Sequence, residues 1–216
     1  MGKASRKKRP VMAKARKGSL GFTIVIVAIV ALGGVGIALS RGGGDSGGDK
    51  PPGLNDHWHT AYAINICGSL QPNLPQPSRL LGMHTHNDGL IHAEPYVTGS
   101  ILDRGDNANL ARFVESEPGF KLTSTEIQMP GGQTYKNGDK CDGKDPGRII
   151  FRQWENAGSD EFKDYTNPKD VKITDGGAVT IAFVPEGAEI AKPASIPNLA
   201  NPNAGEGQGM PQTPQG

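Results

Sequence analysis

All five histidines of this 216-residue chain (His57, His59, His84, His86 and His92) lie within one short stretch of sequence. Three pairs recur at i, i+2 spacing: His57/His59, His84/His86 and His92/Glu94. On an extended strand that spacing puts both members on one face, so neighbouring strands can aim such pairs at a common point. Imidazole is mostly neutral at pH 7 and coordinates a metal without first losing a proton. Several imidazole nitrogens with a carboxylate suit a divalent transition metal, Zn or Cu. The candidate metal ligands are therefore His57, His59, His84, His86, His92 and Glu94. Asp56 and Asp88 are candidate acceptors for the ring N–H groups that the metal does not use, and Met83 and Met129 leave room for Cu⁺. Two other readings use the same residues. The histidines can hydrogen-bond one another, Asp88 and the backbone as a structural network, or Glu94 can serve as a general base in metal-free catalysis.

The elements that must position these groups are legible in outline. From Trp58 to Ile66 the residues alternate, with Trp58, Tyr62, Ile64 and Ile66 on one face and His57, His59, Ala61, Ala63 and Asn65 on the other. That period of two predicts a strand with an apolar side and a histidine side. Pro72, Pro75 and Pro77 make the next stretch a loop. A hairpin is expected from Leu80–His86 through the Asn87-Asp88-Gly89 turn to Leu90–Glu94. A helix capped by Asp106 or Asn107 is expected over 106–115, because Leu110, Phe113 and Val114 fall at i, i+3, i+4. Further strands are expected near Lys121–Gln128, Arg148–Trp154 and Ala178–Val184. The fold class is α+β: a mostly β domain with one short helix, whose C-terminal part suits a β-grasp-like arrangement. Trp58, Tyr62, Phe151 and Trp154 read as core.

Around this domain the chain changes character. Eight basic and no acidic residues precede position 18, whereas the rest carries 15 basic and 22 acidic residues. The larger part thus offers no basic surface for nucleic acid. Residues 18–40 are uncharged and apolar, about 35 Å as a helix and enough to cross a ~30 Å hydrocarbon core. The expected organisation is a basic cytoplasmic segment at 1–17, a single transmembrane helix at 18–40 and a flexible linker at 41–53. An extracytoplasmic histidine-rich domain follows at 54–190, then a disordered tail at 191–216. A cleavable signal peptide is the rival for 18–40, but its apolar region is usually only ~7–15 residues. Cys67 and Cys141 are the only cysteines. On the outer side of a membrane they favour a disulfide over two free thiols.

The stretches Asp56-His57-Trp58-His59-x-Ala61-Tyr62 with Cys67, and Gly82-x-His84-Thr85-His86-x-Asp88-Gly89-x-Ile91-His92, resemble a family of uncharacterised actinobacterial membrane-anchored proteins. Asn107-Ala108-Asn109-Leu110-x-Arg112-Phe113, Cys141 and the closing Val179–Pro185 strand extend the resemblance over about residues 55–190. In that family a histidine often precedes the proline of the second motif, where this chain has Glu94. The resemblance implies an anchored extracytoplasmic domain and no particular activity. Two better-known histidine patterns do not fit. Seven residues separate Glu94 from His86, too many for a cupin site. The amidohydrolase barrel needs about 250 residues. The functional expectation is a membrane-anchored domain that binds Zn or Cu through the histidine cluster. The alternatives are a cell-envelope adaptor that recruits a protein partner and a metal-dependent hydrolase.

Overall fold

The structure is a computed structural model that describes residues 51–205, so the basic segment, the expected transmembrane helix and most of the linker lie outside the described residues. Among the described residues no helix is long and apolar enough to cross a membrane. They form a mostly β domain with one short α-helix, as the residue pattern predicts.

The alternating stretch forms β1 (Trp58–Ile66), the centre of the main sheet. β2 (Ser69–Leu70) turns back on it, β4 (Leu90–Ala93) flanks it and β3 (Met83–His84) lies beyond β4 at the sheet edge. β5 (Lys121–Leu122), β6 (Glu126–Gln128) and β7 (Thr134–Lys136) make a separate three-stranded sheet. β8 (Gly147–Trp154), β9 (Lys163–Tyr165) and β10 (Gly177–Pro185) complete the large one. Its strand order is β3-β4-β1-β10-β8-β9, with β2 on β1. β1 and β10 are parallel neighbours; β4 and β8 run antiparallel to them on either side.

Tyr62, Ile64 and Ile66 enter the main core with Ile149, Phe151, Val179, Ile181 and Phe183, while Trp58 packs at its margin. The one α-helix among the described residues, α1 (Leu110–Glu115), closes this core with Leu110, Phe113 and Val114. It is shorter than expected because Asn109, not Asp106 or Asn107, caps it: the Asn109 Oδ1 accepts the Arg112 N–H at 3.1 Å. Gly105–Asn107 form a separate 3-10 helix instead. The expected strand over Lys121–Gln128 is two strands, since the Thr123 hydroxyl oxygen accepts the Thr125 and Glu126 N–H groups and bends the chain there.

Cys67 and Cys141 are disulfide-bonded, with Cα atoms 5.2 Å apart. The bridge ties the end of β1 to the segment before β8. Constraining a loop of this length stabilises by about 4 kcal/mol in the chain-entropy picture.

Composition predicts disorder from Ala191 onward, yet part of that segment, around Ser195–Leu199, packs on the sheet. Ile196 and Leu199, on a 3-10 helix over Ile196–Ala200, cover Ala61, Leu90, Trp154 and Ala178. The Ser195 hydroxyl lies 2.8 Å from the Gly89 carbonyl and 3.2 Å from that of Tyr62. A few directed contacts thus hold a stretch whose composition is poor in large apolar residues. Truncation after Ile190 should destabilise the domain by on the order of 3 kcal/mol, from the apolar area exposed. Denaturant unfolding of the full and shortened chains checks this, and equal midpoints would contradict the packing.

Candidate metal centre

Strand register brings the histidines together. His59 on β1 pairs with His92 on β4, and His92 in turn pairs with His84 on β3. Three imidazoles from three strands therefore stand in one row across the sheet, where directly opposed side chains are ~5 Å apart. His57 and Glu94, just beyond the Trp58/Ala93 end of the β1/β4 pairing, meet with Nε2 and Oε1 2.7 Å apart. His86, just beyond β3, turns back so that its ring centroid lies 4.5 Å from that of His92. All six sequence-predicted ligands thus converge. Their possible ligating atoms form two triads, His57/His59/His92 and His84/His86/Glu94, each with its atoms within 4.8 Å of one another.

The backbone is clamped around this row. The Asp175 carboxylate accepts the His59 N–H at 3.0 Å, and the Gly176 N–H donates to the His59 carbonyl at 2.9 Å. The Glu94 N–H donates to Gly82 O at 2.7 Å. Gly82 cannot carry a side chain, because a Cβ there would overlap the buried Asp103 carboxyl. Asp103 itself is held by Arg112 Nε at 2.6 Å and by a short contact with the Thr98 hydroxyl. Between His86 and Leu90 the chain reverses through left-handed Asn87 (φ 64) and Gly89 (φ 76). The wider reversal leaves β3 only two residues long.

His84 Nδ1 lies 2.7 Å from the Leu81 carbonyl, which can only accept, so Nδ1 carries the proton and Nε2 keeps its lone pair. That Nε2 sits 3.1 Å from His86 Nε2. Two nitrogens on one tetrahedral ion with ~2.0–2.1 Å bonds would be about 3.4 Å apart, so this pair is nearly in coordinating position. His92 turns Nε2 to Asp88 Oδ2 at 2.9 Å, the carboxylate–histidine contact common behind metal ligands, and Nδ1 is the nitrogen it presents to the cluster. Buried His59 Nε2 has no hydrogen-bond partner among the described residues.

Electrostatics favour the neutral form of two of these rings, His59 and His84. Burial pushes His59 down to about 4, helped by the neighbouring His92 and His57. Burial also pushes His84 down to about 4, against the pull of its bond to Leu81. Burial raises the Asp88 carboxyl, but hydrogen bonds from His92 and the Leu90 N–H outweigh it and the net shift is downward.

Some expectations need correction. Asp56 is not shown behind a ring: its carboxylate accepts the Gly53 N–H at 2.7 Å. Met83 and Met129 lie in the hydrophobic core, since the alternation that turns His84 to one face turns Met83 to the other.

Three supporting groups escaped the sequence reading. The Tyr62 hydroxyl accepts the Leu74 N–H at 2.8 Å and interacts with the Thr85 side chain. Thr85 in turn reaches Asp88 Oδ1 at 3.4 Å. Glu117 is buried and takes a hydrogen bond from the Thr85 backbone, bracing the residue between His84 and His86. Burial pushes its carboxyl up to about 8. Its position was legible, because Glu117 continues the buried i, i+3, i+4, i+7 face of Leu110, Phe113 and Val114.

Cavities of 590 Å³, lined by residues such as Gln153, Phe162 and Lys163, and of 690 Å³, around Glu117 and Phe120, are both lined by residues outside the cluster. No family model matches the chain, and no curated protein or solved structure does either.

These shifts fix the sign of the pH dependence of the metal-free protein. Between pH 4 and 6.5 the unfolded chain binds protons at positions 59 and 84 that the folded chain excludes, so stability rises with pH through that window. Glu117 acts oppositely, holding a proton in the fold between pH 4.5 and about 8, so its contribution is lost as pH rises through that range. Chemical unfolding of the metal-free protein should show maximal stability near pH 6–7, and Glu117→Gln should flatten the alkaline decline. An alkaline limb unchanged by that substitution would contradict the assignment.

Proposed function

We propose that this chain is a membrane-anchored, extracytoplasmic domain that binds a divalent transition metal, Zn or Cu, through His57, His59, His84, His86, His92 and Glu94. The observation that carries the reading is the His84/His86 pair, whose Nε2 atoms lie 3.1 Å apart while Leu81 holds the His84 proton on Nδ1. Such a tautomer turns the lone pair toward the partner nitrogen, as a ligand pair requires. Orphaned His59 Nε2 and the Asp88–His92 contact support it from the other side of the row. The N-terminal basic block and the apolar run at 18–40 support the anchor, and the disulfide is compatible with an oxidising compartment outside it.

The strand order supports the finer fold reading as well. Parallel first and last strands at the centre, with antiparallel strands outside them, are β-grasp-like. The resemblance to anchored actinobacterial proteins agrees with this picture and adds no activity.

Elemental analysis of the purified, untagged chain tests the reading. Wild type should retain Zn or Cu after exhaustive desalting, and His84→Ala/His86→Ala should retain less. A subtler variant, Asp88→Asn, keeps an acceptor for the Leu90 N–H but weakens the contact to His92. It should lower affinity about 10–100-fold with the fold intact. Wild type that binds neither Zn²⁺ nor Cu²⁺ would overturn the proposal.

A further inference from the structure

The six side chains are too many for one ion. Zn²⁺ takes four ligands in most protein sites. The two triads share no residue, and each is internally close enough to converge on an ion of its own. They are also contiguous. The His84 and His92 rings, one from each triad, stack at 5.6 Å with 11° between their planes. The Glu94 carboxylate, which belongs to the second triad, already reaches His57 of the first at 2.7 Å.

We infer that the cluster is a binuclear centre, with one divalent ion on His57, His59 and His92, a second on His84, His86 and Glu94, and the Glu94 carboxylate between them. The inference rests on the metal-binding reading above and adds to it the number, placement and coupling of the ions.

Charge and geometry agree with this arrangement. Paired metal ions in proteins sit ~3.5–4 Å apart, and their mutual repulsion requires anionic groups close by. Two carboxylates stand there. Glu94 reaches both triads, and Asp88 lies behind His92 at 2.9 Å, where it adds negative charge through the ring. The donor sets differ: three imidazoles in one triad, two imidazoles and a carboxylate in the other. Both sets suit Zn²⁺ and Cu²⁺ and neither offers thiolate, both cysteines being bonded to each other. The half-buried His57 and His86 form the margin through which ions enter, while His59, His84, His92 and Glu94 are buried.

The test is stoichiometry together with electronic coupling. Metal-free, untagged full-length chain is titrated with Zn²⁺ alone by calorimetry and, in parallel, with Cu²⁺ alone by electron paramagnetic resonance. Wild type should take two ions per chain. The fully Cu²⁺-loaded form should show a signal broadened by, or depleted through, coupling between the two centres. His57→Ala/His59→Ala and His84→Ala/His86→Ala should each hold one ion and give a sharp, uncoupled signal. Glu94→Gln should weaken the second ion at least tenfold and reduce the coupling. One ion per chain in the wild type overturns the binuclear inference while leaving the metal-binding reading intact. No bound ion overturns both. Two ions without magnetic coupling place the second elsewhere and likewise overturn the inference. The wild-type stoichiometry and signal are decisive even if a double variant fails to fold.

Discussion

The cross-strand row His59–His92–His84 is the constraint on which the rest of the site depends. In a sheet the side-chain period is two, so a slip of one residue between β1 and β4 would send His92 to the opposite face and bring Ile91 or Ala93 beside His59. The register is therefore the site. It is specified by the apolar residues on the far side: Tyr62 and Ile64 of β1 and Ile91 and Ala93 of β4 must enter the main core together. The same alternation that buries Met83 presents His84. Burial and ligand placement are two faces of one strand, and neither can be altered without the other.

Both faces of β1 are nevertheless covered, which is why its residues from His59 onward are all buried. Above the core face sits helix α1; on the other, past the histidines, the segment containing Ser195 and Leu199 lies over Ala61 and Leu90. Small residues at 61, 63, 178 and 182 allow that close approach. The Asn198 side chain donates to the Asp88 carbonyl at 2.7 Å, so the C-terminal segment also grips the loop that carries Asp88. The disulfide fixes the far end of β1. The histidine row thus occupies the one end of β1 that neither the helix nor this segment fills.

Much of this was legible in the residues, and the failures have physical causes. The strands over Trp58–Ile66, Arg148–Trp154 and Ala178–Val184 follow from period-two alternation, which survives any tertiary context that keeps one face apolar; the strand order and the chain reversal at His86 that bring the six candidate ligands together do not. The disulfide agrees with the reading of the two cysteines. The helix boundary was misplaced because Asp106, Asn107 and Asn109 are all competent caps, and only the packing of Ala108 into the core selects Asn109. β7 and β9 are three residues each, too short for a periodic signal. The ordering of residues 191–205 was invisible because composition measures apolar content, whereas Ser195 and Asn198 act through single hydrogen bonds to particular carbonyls.

The state of the imidazoles discriminates among the chemistries that the residue types alone left open. A general acid or base works best with a pKa near the operating pH. His59 and His84, pushed down to about 4, are poor proton carriers at neutrality and good lone-pair donors. Native interiors pair nearly all of their buried polar atoms. Here His59 Nε2 is buried and without a hydrogen-bond partner among the described residues, in the triad completed by His57 and His92. A buried imidazole held neutral beside two others suits donation of a lone pair to a cation, which is the use the proposed site would make of it. The carboxylates of Glu94 and Asp88 are close enough to offset the charge of such a cation.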